Sequence, residues 1–163
     1  MKKRIILFLI TFILVFLINT NSKAATFNVA NITELNTAIA TINGAPDSDI
    51  INITADILTG GTAITTLSQP ATINAGGNTI DGQGLGSLFN LTGTNTVNFS
   101  TNVFINNGTR AAGGGIYANS VADITASGTI SFSSNTATAG AAGALQLTGI
   151  GAPFTASDDV TFV

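Results

Sequence analysis

The chain has 163 residues, of which only 8% are charged, with eight acids, five bases and neither histidine nor cysteine. The missing thiols and imidazoles exclude disulfide cross-links, thiolate nucleophiles and histidine-based acid–base or metal chemistry. A formal net charge of −3 argues against partners held by phosphate neutralisation, so nucleic acid is set aside.

Met1-Lys2-Lys3-Arg4 is a basic start, Ile5 to Ile18 is apolar apart from Thr11, and Ser22-Lys23-Ala24 puts small residues where a signal peptidase reads them. This pattern predicts a signal peptide over 1–24, with cleavage after Ala24. As a helix the apolar run would reach about 21 Å, short of the ~30 Å hydrocarbon core, which favours a removable leader over a permanent anchor. Loss of 1–24 removes Lys2, Lys3, Arg4 and Lys23, leaving Arg110 as the single base against eight acids, a net charge of −7.

The next segment, 25–49, reads as an N-terminal cap with a helix over about 31–42. Asn31 can cap it, Glu34 stands where a capping box needs an acid, and Leu35, Ala38, Ile39 and Ile42 share one face. Gly44 and Pro46 end it. A short amphipathic helix of this kind suits the open end of a repeat array, covering the first coil with its apolar face.

From residue 50 to 163 the pattern changes to short β-branched runs separated by Gly, Asn, Asp or Pro: Ile50–Ile53, Ala63–Leu67, Ala71–Ile73, Asn78–Ile80, Leu88–Leu91, Val97–Ile105, Ile116-Tyr117, Asp123–Thr125, Ile130–Phe132, Ala144–Leu147 and Val160 onward. None is long enough to form a sheet alone, so stacking must supply the sheet. A fixed offset points the same way: Phe104 to Asn107, followed by Gly113-Gly114-Gly115-Ile116, returns 28 positions later as Phe132 to Asn135, followed by Gly140 to Ala144. The same offset carries Phe89 to Tyr117 and Tyr117 to Leu145, and Val160-Thr161-Phe162 begins another copy at an offset of 30. The expected architecture is an all-β, right-handed, single-stranded parallel β-helix. Its coils would lie about 4.8 Å apart, with ladders of Phe104 on Phe132 on Phe162 and of Asn107 on Asn135. Gly114, Gly115 and Gly143 are expected where a Cβ would clash, with Ile116 a repeat position beside them and Tyr117 the bulky position shared with Phe89 and Leu145. Because the chain stops within a copy, it is expected to be the front of a longer protein.

The FxxN and GG-apolar motifs, present as Phe104 to Asn107 with Gly114-Gly115-Ile116 and as Phe132 to Asn135 with Ala142-Gly143-Ala144, resemble the repeats of chlamydial polymorphic outer-membrane proteins and related autotransporter passengers. Thr33 to Ile39, Asp49 to Ile53 and Ile73 to Gly82 resemble the opening of pectin-lyase-like right-handed β-helix proteins. The resemblance implies an exported adhesin or structural protein at the surface of a Gram-negative bacterium, whose partner is a host-cell receptor or a surface glycan. Complete members carry a C-terminal translocator barrel that provides the outer-membrane anchor. Residues 25–163 lack the succession of amphipathic strands such a barrel requires. A polysaccharide-binding or polysaccharide-degrading β-helix is the alternative.

Catalysis has few candidate groups. Beyond residue 24 there is no His, Lys or Cys, and a carboxylate pair at glycosidase spacing would have to come from Asp47 with Asp49 or Asp158 with Asp159. Both pairs read more simply as turn residues, and no catalytic role, metal or cofactor is assigned. Asp47, Asp49, Asp81 and Asp123 do not supply the converging oxygens that calcium demands. Ile80 to Gly84 reads as a corner, with Asp81 bonding backbone and Gly82 at positive φ, and not as a phosphate loop. Asn-x-Ser/Thr triplets at Asn31, Asn52, Asn90, Asn98 and Asn107 follow from a composition rich in Asn and Thr. Thr94 to Thr96 and Thr136 to Thr138 raise an ice-binding face, but they do not fall at the 28-residue offset.

Overall fold

The computed structural model describes residues 23–45, 47–84, 88–93, 96–110, 114–119, 123–139, 142–149 and 154–163. Most of the expected leader, with its apolar run, lies outside these residues, as do Pro46, Gly86, Thr94, Asn95, Gly113, Gly140 and Ala141.

The chain forms β1 (Thr26–Val29), α1 (Ile32–Ile42), β2 (Asp49–Ile53), β3 (Ile57–Leu58), β4 (Ala71–Asn74), β5 (Thr79–Asp81), β6 (Phe89–Thr92), β7 (Thr96–Phe99), β8 (Val103–Asn106), β9 (Thr109–Arg110), β10 (Ile116–Asn119), β11 (Asp123–Ala126), β12 (Ile130–Ser133), β13 (Thr136–Ala137), β14 (Leu145–Thr148), β15 (Phe154–Ala156) and β16 (Val160–Phe162). Strands pair with their counterparts in the next coil, always in parallel, in the orders β1-β2-β4-β7-β11-β15, β3-β5-β8-β12-β16, β6-β10-β14 and β9-β13. This is a right-handed parallel β-helix. Alternation along each strand sends every second side chain inward, where Ile51, Ile73 and Phe99 form one column and Ile57, Ile80, Ile105 and Phe132 another.

Helix α1 closes one end. Asn31 Oδ1 accepts from Glu34 N at 3.0 Å, satisfying one orphan amide of the first turn, and the Glu34 carboxylate accepts at 2.8 Å from the amide of Ala30, the residue before the cap. Leu35, Ala38, Ile39 and Ile42 are buried, the large ones contributing about 1.5–3 kcal/mol each. Two further helix side chains, which the sequence did not single out, fasten the cap to the segment after β3. Asn36 donates to Ala63 O and accepts from Thr65 N, while Asn43 donates to Thr66 O and accepts from Ser68 N. The run Ala63–Leu67, expected as a strand, is therefore not one. Its backbone groups bond to asparagine side chains, and only Leu67 makes a bridge, to Leu91. Asn43→Ala should lower unfolding free energy by about 1–2 kcal/mol, because partly buried main-chain partners lose their mates. Urea unfolding and limited proteolysis within 62–70 would check this.

The stacking register differs from the constant offset of 28. Phe132 lies on Ile105, and Phe104 lies under Ser131, an offset of 27, whereas Phe132 to Phe162 is 30. Since a slip of one residue exchanges the two faces of a strand, Phe104 points outward and is 38% exposed, while Phe132 is buried. The ladder of Phe104 on Phe132 is corrected to Ile105 on Phe132 on Phe162, whose two rings stack at 5.3 Å with a 7° interplanar angle. In the same way Phe89 and Leu145 stack on Ile116, not on Tyr117, which turns outward between Asn90 and Gln146. Val97–Ile105 is two strands, β7 and β8. Strands β1, β3, β9, β13 and β15 were not anticipated.

Asn107 and Asn135 are not equivalent either. Asn107 adopts positive φ (51°), as does Ser134 (53°), the residue stacked on it. Asn135 instead accepts from Gly108 N at 2.8 Å and donates to Ile105 O at 2.7 Å in the coil below. Gly114, Gly115 and Gly143 do sit at close backbone approaches: a Cβ on them would come within 2.5, 2.4 and 2.2 Å of a main-chain oxygen, respectively.

Candidate functional surface

The outward columns are what the fold offers to a partner. On the six-stranded sheet, Asn28, Asn52 and Asn74 stack in register, Asn52 donating to Asn28 at 3.0 Å and Asn74 to Asn52 at 2.9 Å. Ser100 continues the line by donating to Asn74 Oδ1. Beside it run Thr72, Asn98, Thr125 and Thr155, with Thr125 Oγ1 donating to Asn98 at 2.9 Å. Threonines thus do share a column, at offsets the 28-residue repeat concealed, but an amide interrupts it. The face is uncharged along both lines, and part of its hydrogen-bonding capacity is used vertically.

On the three-stranded sheet Asn90, Tyr117 and Gln146 form the outward column, with Thr92, Asn119 and Thr148 alongside. Asn90 Nδ2 donates to Thr66 Oγ1 at 2.8 Å. The carbonyl oxygens of Asn90 and Gln146 are buried without a partner among the described residues. On the five-stranded sheet Leu58, Asp81, Asn106 and Ser133 face outward in one line and Thr79, Phe104 and Ser131 in the other.

A groove of about 620 Å³, lined by Thr33, Asn36, Thr37, Ala40, Thr41 and Thr62, holds no carboxylate, and two further shallow grooves of about 380 Å³ each interrupt this surface. One lies between α1 and β1 and is lined by Thr26, Asn28, Thr33, Glu34, Thr37 and Thr41. The other lies where the six-stranded and five-stranded sheets meet, lined by Gly76, Ser100, Thr101, Asn102, Ser127 and Asp158. Each has a single carboxylate in its lining, and Glu34 is already engaged by Ala30 N.

Of the acids considered for chemistry, Asp49, Asp81 and Asp158 hold structural positions, while Asp123 Oδ1 is buried without a partner among the described residues. Asp49 is buried and accepts from Ala25 N at 2.6 Å. Asp81 accepts from Gln83 N at 2.7 Å and from Asn107 Nδ2 at 3.1 Å, which makes the corner expected of it. The positive φ falls on Gln83 and Gly84, however, and not on Gly82, whose Cβ position would meet Asn107 O at 2.7 Å. Asp158 accepts from Asp159 N in an exposed turn. Among the described residues no three acidic side chains gather as a metal site would require. The five triplet asparagines each carry a hydrogen bond within the fold: Asn31 caps α1, Asn52 belongs to the ladder, Asn90 meets Thr66, Asn98 meets Thr125 and Asn107 meets Asp81.

No family model, curated protein or solved structure matches the chain.

Proposed function

We propose that the chain is an exported β-helical passenger of adhesin or structural type, displayed at a Gram-negative cell surface or released from it, whose partner is a host-cell receptor or a surface glycan. The observation that carries this reading is the pair of outward columns rich in Asn, Ser and Thr, interrupted by Ile50 and flanked by Asp123, which run over the coils of the six-stranded sheet. Such a surface suits contact over an area with uncharged hydroxyls and amides, and a mature charge of −7 disfavours acidic partners. The leader-like pattern of 1–24 and the FxxN repeats support export and display. No catalytic step is assigned. The full chain, produced with its leader in a Gram-negative host, should reach the medium or cell surface and be retained on immobilised glycans or host cells without releasing reducing sugar. Retention of the protein in the cytoplasm, or sugar release, would count against the reading.

A polysaccharide-binding role is the second reading, favoured by Tyr117. Its ring stands in the outward column of the three-stranded sheet, between Asn90 and Gln146, and an outward aromatic ring can stack on the apolar face of a sugar. Tyr117→Ala should weaken glycan retention about tenfold, measured by titration, with little change in stability.

A further inference from the structure

The sequence gives cleavage after Ala24, and the structure shows what that cut would leave behind. Ala25, the first residue of the processed chain, has both backbone groups engaged by β2: its N–H donates to Asp49 Oδ1 at 2.6 Å, and its carbonyl accepts from Ile50 N at 2.9 Å. Lys23 and Ala24 are exposed, outside the β1 ladder, so the scissile bond stands at the edge of the folded body. Asp49 is only 3% exposed, one of two buried polar side chains among the described residues, the other being the neutral Thr59. A carboxylate at that depth is costly unless it meets a cation or several donors, and the partner the structure gives this oxygen is a neutral amide.

We propose that Asp49 is the binding site for the chain's own processed N-terminus. Hydrolysis of the Ala24–Ala25 bond by a signal peptidase consumes one water and leaves a carboxylate on Ala24 and, after protonation at neutral pH, an ammonium on Ala25. The ammonium stands where the amide stood, within hydrogen-bond distance of Asp49, and turns a bond from a neutral donor to a carboxylate into an ion pair between two formal charges. Removal of the leader therefore tightens the first coil, where β1 lies on β2 and beneath the face closed by α1. The precursor lacks that ion pair, which couples a looser N-terminal coil to the state that must be exported unfolded. The inference rests on the leader reading and adds to it a defined acceptor and a consequence for folding.

The composition makes the test unusually clean. No lysine follows residue 24, so the α-amine of a chain beginning at Ala25 is its only primary amine. The full chain is exported with its leader, the product is sequenced from its N-terminus, and an amine-acylating reagent is applied to the folded product and to the same product in urea. The expected product begins at Ala25. Its amine should react at least about tenfold more slowly when folded, and acylation should lower its melting temperature. Asp49→Asn should abolish both effects, whereas Asp47→Asn should preserve them. If Asp49→Asn fails to fold, insertion of one alanine between Ala24 and Ala25 serves instead, since it moves the ammonium off Asp49 without changing the acid, and should restore fast acylation. A product beginning elsewhere overturns the leader reading and the inference together. A product beginning at Ala25 whose amine is as reactive folded as unfolded, or equally protected in the Asp49→Asn or inserted variant, overturns the inference alone.

Discussion

Replacement of Phe132 by alanine is expected to cost about 3–5 kcal/mol of unfolding free energy, read from urea or thermal unfolding. The ring is 1% exposed. It rests on Ile105 in the coil below and against Phe162 in the coil above, with the two rings nearly coplanar in orientation. Gly115 approaches its edge so closely that a Cβ there would lie 3.0 Å from Cδ1. A cavity at this point is bounded by backbone that is itself held in ladders, so it cannot collapse easily. Against a total stability of about 5–15 kcal/mol for an ordinary domain, the loss would leave the upper coils close to unfolding. A loss below about 1 kcal/mol would mean that the ring is not part of the stacked core.

Gly114→Ala should be of comparable severity, about 3 kcal/mol or more, for a different reason. The added methyl would lie 2.5 Å from both Gly108 O and Thr136 O and 2.9 Å from Gly143 O, all main-chain atoms belonging to the same corner and to the coil above. A flexible side chain could turn away, but here two coils must separate, which strains Leu88 N to Gly114 O and Gly115 N to Gly143 O as well. Gly60→Ala is the informative contrast. That glycine has φ of 58° but open space around its Cβ position, so only the left-handed backbone penalty applies, about 1–2 kcal/mol. Near-equal losses at the two positions would show that crowding at the corner is absent.

The parts of the fold that were legible in the sequence are those determined locally. Asn31, Glu34 and the apolar face through Ile42 define α1 within a dozen residues, and β-branched runs between turn formers locate β2, β4, β5 and most later strands. Register was not legible, because coil length varies. Ala71 stacks on Asp49 and Val97 on Ala71, while Ile130 stacks on Val103 and Val160 on Ile130, offsets of 22, 26, 27 and 30. Matching Phe104 to Phe132 aligned two phenylalanines of opposite orientation, and matching Asn107 to Asn135 aligned a left-handed turn residue with a hydrogen-bonding bracket. Period-two alternation in Thr26–Val29 could have revealed β1, whose outward Asn28 and inward Val29 fit that pattern. The fastening of α1 by Asn36 and Asn43 could not have been found, since it joins side chains to backbone across 23 to 29 positions with no motif at either end. The surface was legible in composition alone. That Asn98 interrupts the Thr72, Thr125 and Thr155 column, and that Tyr117 stands outward, follow only once the register is known.

The decisive measurement compares Phe104→Ala with Ile105→Ala in urea unfolding, because these neighbours exchange faces if the coils slip by one residue. With Ile105 beneath Phe132 and Phe104 turned to solvent, Ile105→Ala should cost about 2–5 kcal/mol and Phe104→Ala less than about 1.5 kcal/mol. The reverse order, with Phe104→Ala the more damaging, would place Phe104 inside the stack and contradict the register on which every outward column depends.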